Sequence, residues 1–341
     1  MRRSRRLGLV ALAALALAGD AAGVRGRTIE TTQWHVVGLG LQGDRIYWTL
    51  DRCTDTYTRA LAGGRPVLLG DARSMSCDNV EHPEVAYGRG RALWSARGAG
   101  NSVYEDIMVG APGERPKLLE QVVGGSGGSD GDYLSDIAAG GSTIVYAVVT
   151  VGMLDTCIDP GTPCDYFIES GRTMRVVGRR AVRIPGVPPV VRLAAGGGRI
   201  AVDVAADHDG QKLLRAGRVE VRDAASGRRT ATIRTSGNVL ELALSRDVLT
   251  LLVRTGGRKV IERYAPKGGR LLGRTAVYGD ARSLAVSGTR VVFLSGRTIR
   301  EVGAGIVAVA PTRPVAVAVE GRRVVWAETV GKGGRIVLAV S

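Results

Sequence analysis

The sequence predicts an all-β protein built from seven repeats of a small sheet. The first observation is a core of small and β-branched residues, since only two Phe and four Trp occur among 341 residues. The second is a segment pattern that aligns seven times along the chain, and the third is a glycine-containing turn inside most copies. Such residues fit pleated strands. Closed β architectures of this length commonly form one domain.

The N-terminal element is predicted to be an export signal. A basic MRRSRR stretch precedes an apolar run at residues 7–18, and small residues follow. An apolar run of this length is too short to span a bilayer, so we predict a cleaved signal peptide at 1–23 and a secreted, extracytoplasmic domain at 24–341. Ser4–Leu7 faintly matches a twin-arginine signal, which leaves both Sec and twin-arginine export open.

Each repeat is defined by a small anchor residue that follows an aliphatic residue. The anchors are Gly40, Ala86, Ala138, Ala194, Ala243, Ala285 and Ala318. A bulky residue follows eight positions later in most repeats, and in the fifth we place Thr250 there at seven: Trp48, Trp94, Tyr146, Val202, Thr250, Phe293 and Trp326. A strand with a small residue between aliphatics can lie innermost, where neighbouring sheets converge. Residues 218–233 show two further strands, which predicts four strands per repeat.

The spacing of the anchors predicts a seven-bladed β-propeller of four-stranded blades. Anchors lie 33 to 56 residues apart, against a period of about 40 to 50 for propeller repeats. The last repeat has three strands, and residues 27–35 could supply its fourth, closing the ring with the N-terminal strand and removing open sheet edges. A β-sandwich and two smaller propellers are the alternatives.

On these repeats the chain resembles the seven-bladed propeller superfamily, in particular the bacterial TolB-like and WD40-like propellers. The resemblance covers nearly all of the chain after the signal, but the Gly-His and Trp-Asp marks of WD40 repeats are missing. It implies an architecture and carries no catalytic residue with it.

Four cysteines, Cys53, Cys77, Cys157 and Cys164, predict disulfide bonds in an exported chain. Proximity favours Cys157 with Cys164, which leaves Cys53 with Cys77. A zinc site is the rival interpretation, although CxxC spacing is absent and the chain has only three histidines.

The net charge of +15 falls to +12 when residues 1–23 are removed, because they contain four arginines and Asp20. Such a field attracts anionic envelope polymers or nucleic acid. However, 42 of the 47 basic residues are arginines spread evenly along the chain, which equally fits a compositional bias. We expect a monomer whose partner is a protein or an anionic cell-envelope polymer, and we do not favour nucleic acid.

Three short motifs match known site patterns without the context that each site needs. Gly38–Gly43 satisfies GxGxxG, yet a strand follows where a dinucleotide site needs a helix. Gly124–Gly128 satisfies GxSxG inside a glycine-rich loop rather than a strand-to-helix turn. Asp207–Gly210 resembles the start of a calcium loop but lacks further oxygen ligands. We predict no metal site or cofactor, with calcium at such acidic turns as the alternative.

The candidate ligand-binding residues are predicted from the blade topology. In a propeller the longer connections emerge on one face, and the residue two before each anchor lies near the channel mouth on that face. Glu84, Asp136, Arg192 and Glu241 occupy that position in four repeats, and His82 lies close to Glu84 in the chain. They form either a polar pocket for a ligand or a set of buried charges that pair with one another.

Two functions remain open from the sequence. The first is a secreted, non-catalytic propeller that acts as a binding scaffold for a protein or an anionic envelope polymer. The second is a propeller lyase or hydrolase at the channel mouth, for which His82, Glu84, Asp136 and Glu241 would have to share one pocket.

Overall fold

The computed structural model describes residues 26–51, 55–70, 84–88, 90–99, 103–124, 130–153, 166–208 and 213–341. Within these ranges all regular structure is β, arranged as seven four-stranded antiparallel sheets. None of the described residues forms a helix that could cross a membrane. The predicted seven-bladed propeller is therefore confirmed.

The strands follow the chain blade by blade. Blades 1 to 3 consist of β2 (Val36–Gln42), β3 (Arg45–Leu50), β4 (Thr56–Ala60), β5 (Val67–Gly70); β6 (Val85–Gly88), β7 (Arg91–Ala99), β8 (Val103–Gly110), β9 (Lys117–Val123); and β10 (Gly131–Gly140), β11 (Thr143–Met153), β12 (Tyr166–Val177), β13 (Arg180–Ile184). Blades 4 and 5 consist of β14 (Val190–Gly196), β15 (Arg199–His208), β16 (Leu213–Asp223), β17 (Arg229–Arg234); and β18 (Asn238–Leu244), β19 (Leu249–Thr255), β20 (Arg258–Tyr264), β21 (Leu271–Val277). Blades 6 and 7 consist of β22 (Arg282–Ser287), β23 (Arg290–Ser295), β24 (Thr298–Glu301), β25 (Gly305–Val309); and β26 (Pro314–Glu320), β27 (Arg323–Val330), β28 (Gly333–Val340), β1 (Arg27–Thr32).

The N-terminal strand closes the ring, as predicted. β1 pairs antiparallel with β28, from Arg27 opposite Leu338 to Thr32 opposite Gly334. Blade 7 thereby gains its outermost strand from the other end of the chain. This pairing joins the two ends of the ring without leaving β28 as an open edge.

The first hairpin of each blade has the same register. The residue just before the anchor pairs with the residue eight positions after the anchor. Examples are Leu39 opposite Trp48 and Val317 opposite Trp326. In blade 5 the residue opposite Leu242 is Leu251, so the assignment of Thr250 to this position was wrong. The hairpin has the usual length there, and Leu251 is simply aliphatic where most other blades have an aromatic. Leu251 is fully buried.

A β-bulge interrupts the innermost strand of most blades. It lies directly before the residue that precedes the anchor by two positions, such as Asp136 before Ala138. The register shifts between Leu134 and Asp136, between Val190 and Arg192, and in the same place in four further blades. A bulge bends the strand and redirects the next side chain. The side chain two residues before the anchor therefore departs from the alternation of side chains between the two faces of a regular strand.

The innermost strands of neighbouring blades contact each other at the residue two positions after the anchor. Glu320 accepts a hydrogen bond from Gly43 N in blade 1 at 2.9 Å, and Ser287 accepts one from Gly321 N in blade 7 at 3.0 Å. Where the position is glycine, as at Gly140 and Gly196, the backbone of the next blade occupies the space that a side chain would need. The blades thus meet either through a polar side chain or by direct backbone approach.

Buried and half-buried carboxylates in the second and fourth strands of blades were not predicted from the sequence. Glu328 accepts hydrogen bonds from Trp326 Nε1 at 2.7 Å and from Arg335 at 2.5 Å, and it is completely buried. Glu120 likewise accepts from Tyr146 and Arg172. An arginine and an aromatic donor thereby satisfy a charge that would otherwise be costly to bury.

Candidate functional site

The central channel contains two distinct features at its two ends. A cavity of about 530 Å³ is lined by the innermost strands, from the residue before each anchor to the turn that follows. The predicted polar residues lie on the other side of the anchors, toward the long connections. The cavity wall consists of backbone, small and aliphatic side chains, with Gln42, Arg246 and Glu320 among its polar groups. The predicted acidic residues and Arg192 lie at the opposite mouth.

Of the four candidate residues that the structure describes, Glu84 and Asp136 lie close to the third, Arg192. The Arg192 guanidinium lowers the pKa of the carboxyl groups of Glu84, Asp136 and Asp203, against the larger effect of burial on each. Asp203 lies directly opposite Arg192 in the β14–β15 pairing. We call Glu84, Asp136, Arg192, Asp203 and Arg215 the Arg192 cluster.

Asp136 connects blade 3 to blade 4. Its Oδ2 atom accepts a hydrogen bond from Leu193 N at 2.5 Å, and Oδ1 accepts one from Ile137 N at 2.8 Å. Burial raises the pKa of Asp136 to about 6, although both amide donors and Arg192 act in the opposite direction. The carboxylate is therefore held by backbone donors rather than left open toward solvent.

Glu84 is the carboxylic acid of the cluster with the strongest perturbation. Burial raises its pKa well above the usual range, and the nearby carboxylates of Asp136 and Glu105 raise it further. Its Oε2 atom is buried and accepts no hydrogen bond within the described part of the chain. This environment favours the protonated form of the Glu84 carboxyl group over the charged form.

Asp203 and Arg215 belong to the cluster but were missed by sequence reasoning. Arg215 Nε lies 2.7 Å from Asp203 Oδ2, and the Asp203 side chain is 1% exposed. Burial raises the pKa of Asp203 to about 6 despite the opposing charges of Arg215 and Arg192. The available signal was a lone carboxylate within the otherwise apolar strand sequence IAVDVAA.

Glu241 makes its described contacts elsewhere, with blade 6. Its two oxygens accept hydrogen bonds from Ser283 N at 2.8 Å and Leu284 N at 2.7 Å. Ser283, whose φ of 53° places it in the left-handed region, accepts one from Val317 N at 3.2 Å. Asp136, Glu241 and Ser283 therefore perform the same task, which is to bind the innermost strand of the following blade.

Several predicted features lie outside the described residues. These are His82, the four cysteines, the serine of the GxSxG match, and Asp209 and Gly210 of the calcium-like segment. The disulfide pairing and the role of His82 stay predictions.

Among the described residues no cluster of His, Asp and Glu is suited to a metal ion. Asp132 lies in β10 and accepts hydrogen bonds from Arg172 and Thr150. The GxGxxG glycines lie in β2 and its hairpin, as predicted.

The face with the long connections also exposes large apolar side chains. Tyr278, between β21 and β22, is 85% exposed, and Trp34, between β1 and β2, is 41% exposed. Val37 and Val315, the bulged residues of blades 1 and 7, are exposed on the same face. Together with Val330 they are what we call the apolar strip, which comprises residues of blades 1 and 7, Trp34 between these blades, and Tyr278 between blades 5 and 6.

Comparison with solved structures supports the architecture. A chain in the crystal structure of the mitotic checkpoint complex is 13% identical, with 99% of each chain covered and a TM-score of 0.54. The chain is a β-propeller by fold. The WD40 β-propeller domain of Doa1 is 12% identical over 92% of this chain and 97% of that domain, with a TM-score of 0.51. No protein-family model and no curated protein matches. At these identities the likeness concerns the fold alone.

The raised pKa values of Asp136 and Asp203 predict a stability that falls as the pH rises from about 4 to about 6. The unfolded chain binds these protons with a pKa near 3.8, whereas the folded protein holds them up to about 6. Unfolding therefore releases protons in this window, and the folded state loses about 3 kcal/mol per group across it.

Urea unfolding between pH 4 and pH 7 tests this expectation. The Asp203→Asn variant should show a shallower decline of the unfolding free energy than the unmodified protein. Asp280→Asn is the control. Burial raises the pKa of Asp280, but the Gly296 amide, Arg282 and Arg313 together lower it below its usual value. The stability that Asp280 contributes is lost only as the pH falls through values below 3.8. Identical slopes for all three proteins would contradict the assignment.

Proposed function

We propose that this protein is a secreted, non-catalytic scaffold that binds a protein partner through the face with the long connections. The observation that carries the proposal is the apolar strip, in which Trp34 and Tyr278 stand exposed in a chain with few aromatic residues. Tyrosine and tryptophan are enriched at protein interfaces and supply much of the binding energy there.

The contacts of the candidate acids support a binding role over catalysis. A lyase or hydrolase needs carboxyl groups free to exchange protons with a substrate. Both oxygens of each carboxylate, Asp136 and Glu241, instead accept backbone hydrogen bonds. Glu241 binds two amides of blade 6, whereas Asp136 binds one amide of blade 4 and the amide of Ile137 in its own strand. Proton transfer at either residue would weaken a contact that holds the ring together.

Export is part of the proposal and rests on the N-terminal sequence. The basic start, the apolar run at 7–18 and the even number of cysteines all fit a protein that reaches an oxidising compartment. A rigid ring with one face of longer connections would then present the apolar strip to a partner outside the cytoplasmic membrane.

Loss of the two aromatic side chains should weaken partner binding strongly. We expect Trp34→Ala to weaken the complex about thirtyfold and the double variant with Tyr278→Ala to weaken it further, as is typical of central interface aromatics. The measurement is site-specific photo-crosslinking in the source cells, with a photoreactive phenylalanine analogue in place of Tyr278. A discrete crosslinked protein is expected, and Trp34→Ala should reduce its yield.

The matched control places the same analogue at Thr289, which is exposed in a turn on the opposite face. It should give no crosslink to that protein. Equal crosslinking from both positions, or a yield that is insensitive to Trp34→Ala, would show that the apolar strip is not the binding surface.

A further inference from the structure

Within the described part of the chain, basic residues are concentrated on the face opposite the apolar strip. That face, which we call the basic face, contains the turns between strands one and two of each blade and the turns between strands three and four of blades 1 to 6. Counting these turns with their flanking strand residues, the described part of the chain has sixteen Arg and Lys there against six Asp and Glu. The described connections of the opposite face, counted in the same way, have six Arg and Lys against five Asp and Glu. The even spread of arginine in the sequence therefore becomes a polarised surface in the fold.

Many of these basic side chains have no acidic partner among the residues that the structure describes. Arg65, Arg115, Lys117, Arg180, Lys267 and Arg270 are exposed and form no salt bridge with any described residue. Elsewhere arginines are paired with carboxylates, as Arg335 is with Glu328 and Arg222 with Glu220. The charge of the basic face is thus not neutralised within the described structure, and it remains available for an anionic surface.

Exposed aliphatic residues accompany the unpaired cations. Val67, Leu118, Val182 and Leu271 each lie within a few residues of one of these basic side chains, and each is exposed. All four are among the first three residues of the fourth strand, which is the outermost strand of its blade. Because strands rise about 3.3 Å per residue, these side chains remain within about 10 Å of the turns, at the rim of the basic face.

We propose that the basic face docks on an anionic lipid bilayer. Arginine and lysine would contact the headgroups, and the rim aliphatics would enter the interfacial layer, where apolar side chains are accommodated to a depth of about 5–10 Å. This goes beyond the proposed function, because it leaves the apolar strip directed away from the membrane and accessible to the partner.

Lipid fits the basic face better than other polyanions do. The described part of this face exposes no aromatic side chain, whereas single-stranded nucleic acid is bound largely by stacking of its bases on aromatic residues. A soluble anionic polymer would use the cations but would have no role for the rim aliphatics. The pairing of cation and aliphatic in four blades is the signature of a surface that meets headgroups and acyl chains together.

Vesicle co-sedimentation tests the proposal with pairs of substitutions in one blade. Lys267→Glu with Arg270→Glu changes the basic face, whereas Arg254→Glu with Arg258→Glu changes exposed residues at or near the opposite face by the same net charge. The probes are vesicles of phosphatidylglycerol mixed with phosphatidylcholine, and vesicles of phosphatidylcholine alone. All variants have the same N-terminal residues, so any contribution of the apolar run at 7–18 is common to them.

We expect binding to the anionic vesicles only. The first pair should lower the partition coefficient about thirtyfold or more, since each basic residue near such a surface contributes substantially, and the second pair should change it less than threefold. Leu271→Ser with Leu272→Ser should lower vesicle binding about tenfold while leaving binding to soluble polyphosphate unchanged.

Two results would overturn the proposal. Equal losses from the two charge pairs would show that only the overall charge matters. Vesicle binding by the leucine variant that matches the unmodified protein, together with equally strong binding of polyphosphate, would identify a soluble anionic polymer rather than a bilayer as the ligand.

Discussion

Replacing Gly140 by alanine is expected to lower the free energy of unfolding by about 3 kcal/mol. A Cβ atom at this position would lie 1.9 Å from Ala195 O and 2.7 Å from Ala195 C, both in the backbone of the neighbouring blade. Because backbone atoms cannot rotate away as a side chain can, blades 3 and 4 would have to separate at the centre of the ring. Overpacking of this kind is destabilising, and the stiffer unfolded chain of alanine offsets only a small part of it.

Gly88 provides a matched control, because it occupies the same position in blade 2. A Cβ atom there would have its closest contacts at 3.1 Å with side-chain atoms of Ala139 and Ile144. Gly88→Ala should therefore cost less than about 1 kcal/mol. Urea unfolding followed by tryptophan fluorescence measures both variants. Equal midpoints for the two would show that the blades do not meet through direct backbone contact at Gly140.

Removing the carboxylate of Glu328 is expected to cost about 4 kcal/mol of unfolding free energy. Glu328→Ala leaves the buried Trp326 Nε1, the Arg335 guanidinium and the Thr312 hydroxyl without their shared acceptor. An unsatisfied buried donor and an uncompensated charge each carry a desolvation cost. Arg335 is 28% exposed and can partly recover hydration, which keeps the effect from being larger.

The control for Glu328 is Glu114, whose pair with Arg91 is looser at 3.6 Å and more exposed. Glu114→Ala should change the unfolding free energy by less than about 1 kcal/mol. Combining Glu328→Ala with Arg335→Ala should recover part of the loss, because no unpaired charge is left. A double variant as unstable as the sum of its parts would mean that the ion pair contributes nothing beyond its separate side chains.

The repeat architecture could be predicted because its determinants are local and periodic. An anchor such as Ala138 must be small where the innermost strands converge, and Trp326 must lie eight residues after Ala318 because every first hairpin has the same register. The extra strand at the N-terminus followed from counting strands in the last repeat. One error arose in blade 5, where aliphatic Leu251 offers no aromatic marker and Thr250 was chosen in its place.

The candidate site was predicted only in part, because a shared position does not imply a shared role. Asp136 and Arg192 were expected to converge, and they do interact. Glu241 occupies the equivalent position but is aimed by its bulge at the amides of Ser283 and Leu284. Asp203 was overlooked because its neighbour Arg192 is eleven residues away in the chain and becomes adjacent only through strand pairing.

The sequence by itself therefore determined the all-β class, the number of blades, the closing strand and the positions of the anchors, since each depends on residue type at a fixed spacing. Only the tertiary structure decided which carboxylates share one environment, which of them bind backbone amides of the next blade, and on which face the excess arginines lie. Those properties depend on desolvation and on distances between residues far apart in the chain. A pattern of residue types along one dimension does not contain those distances, and the closing of the ring is what sets them.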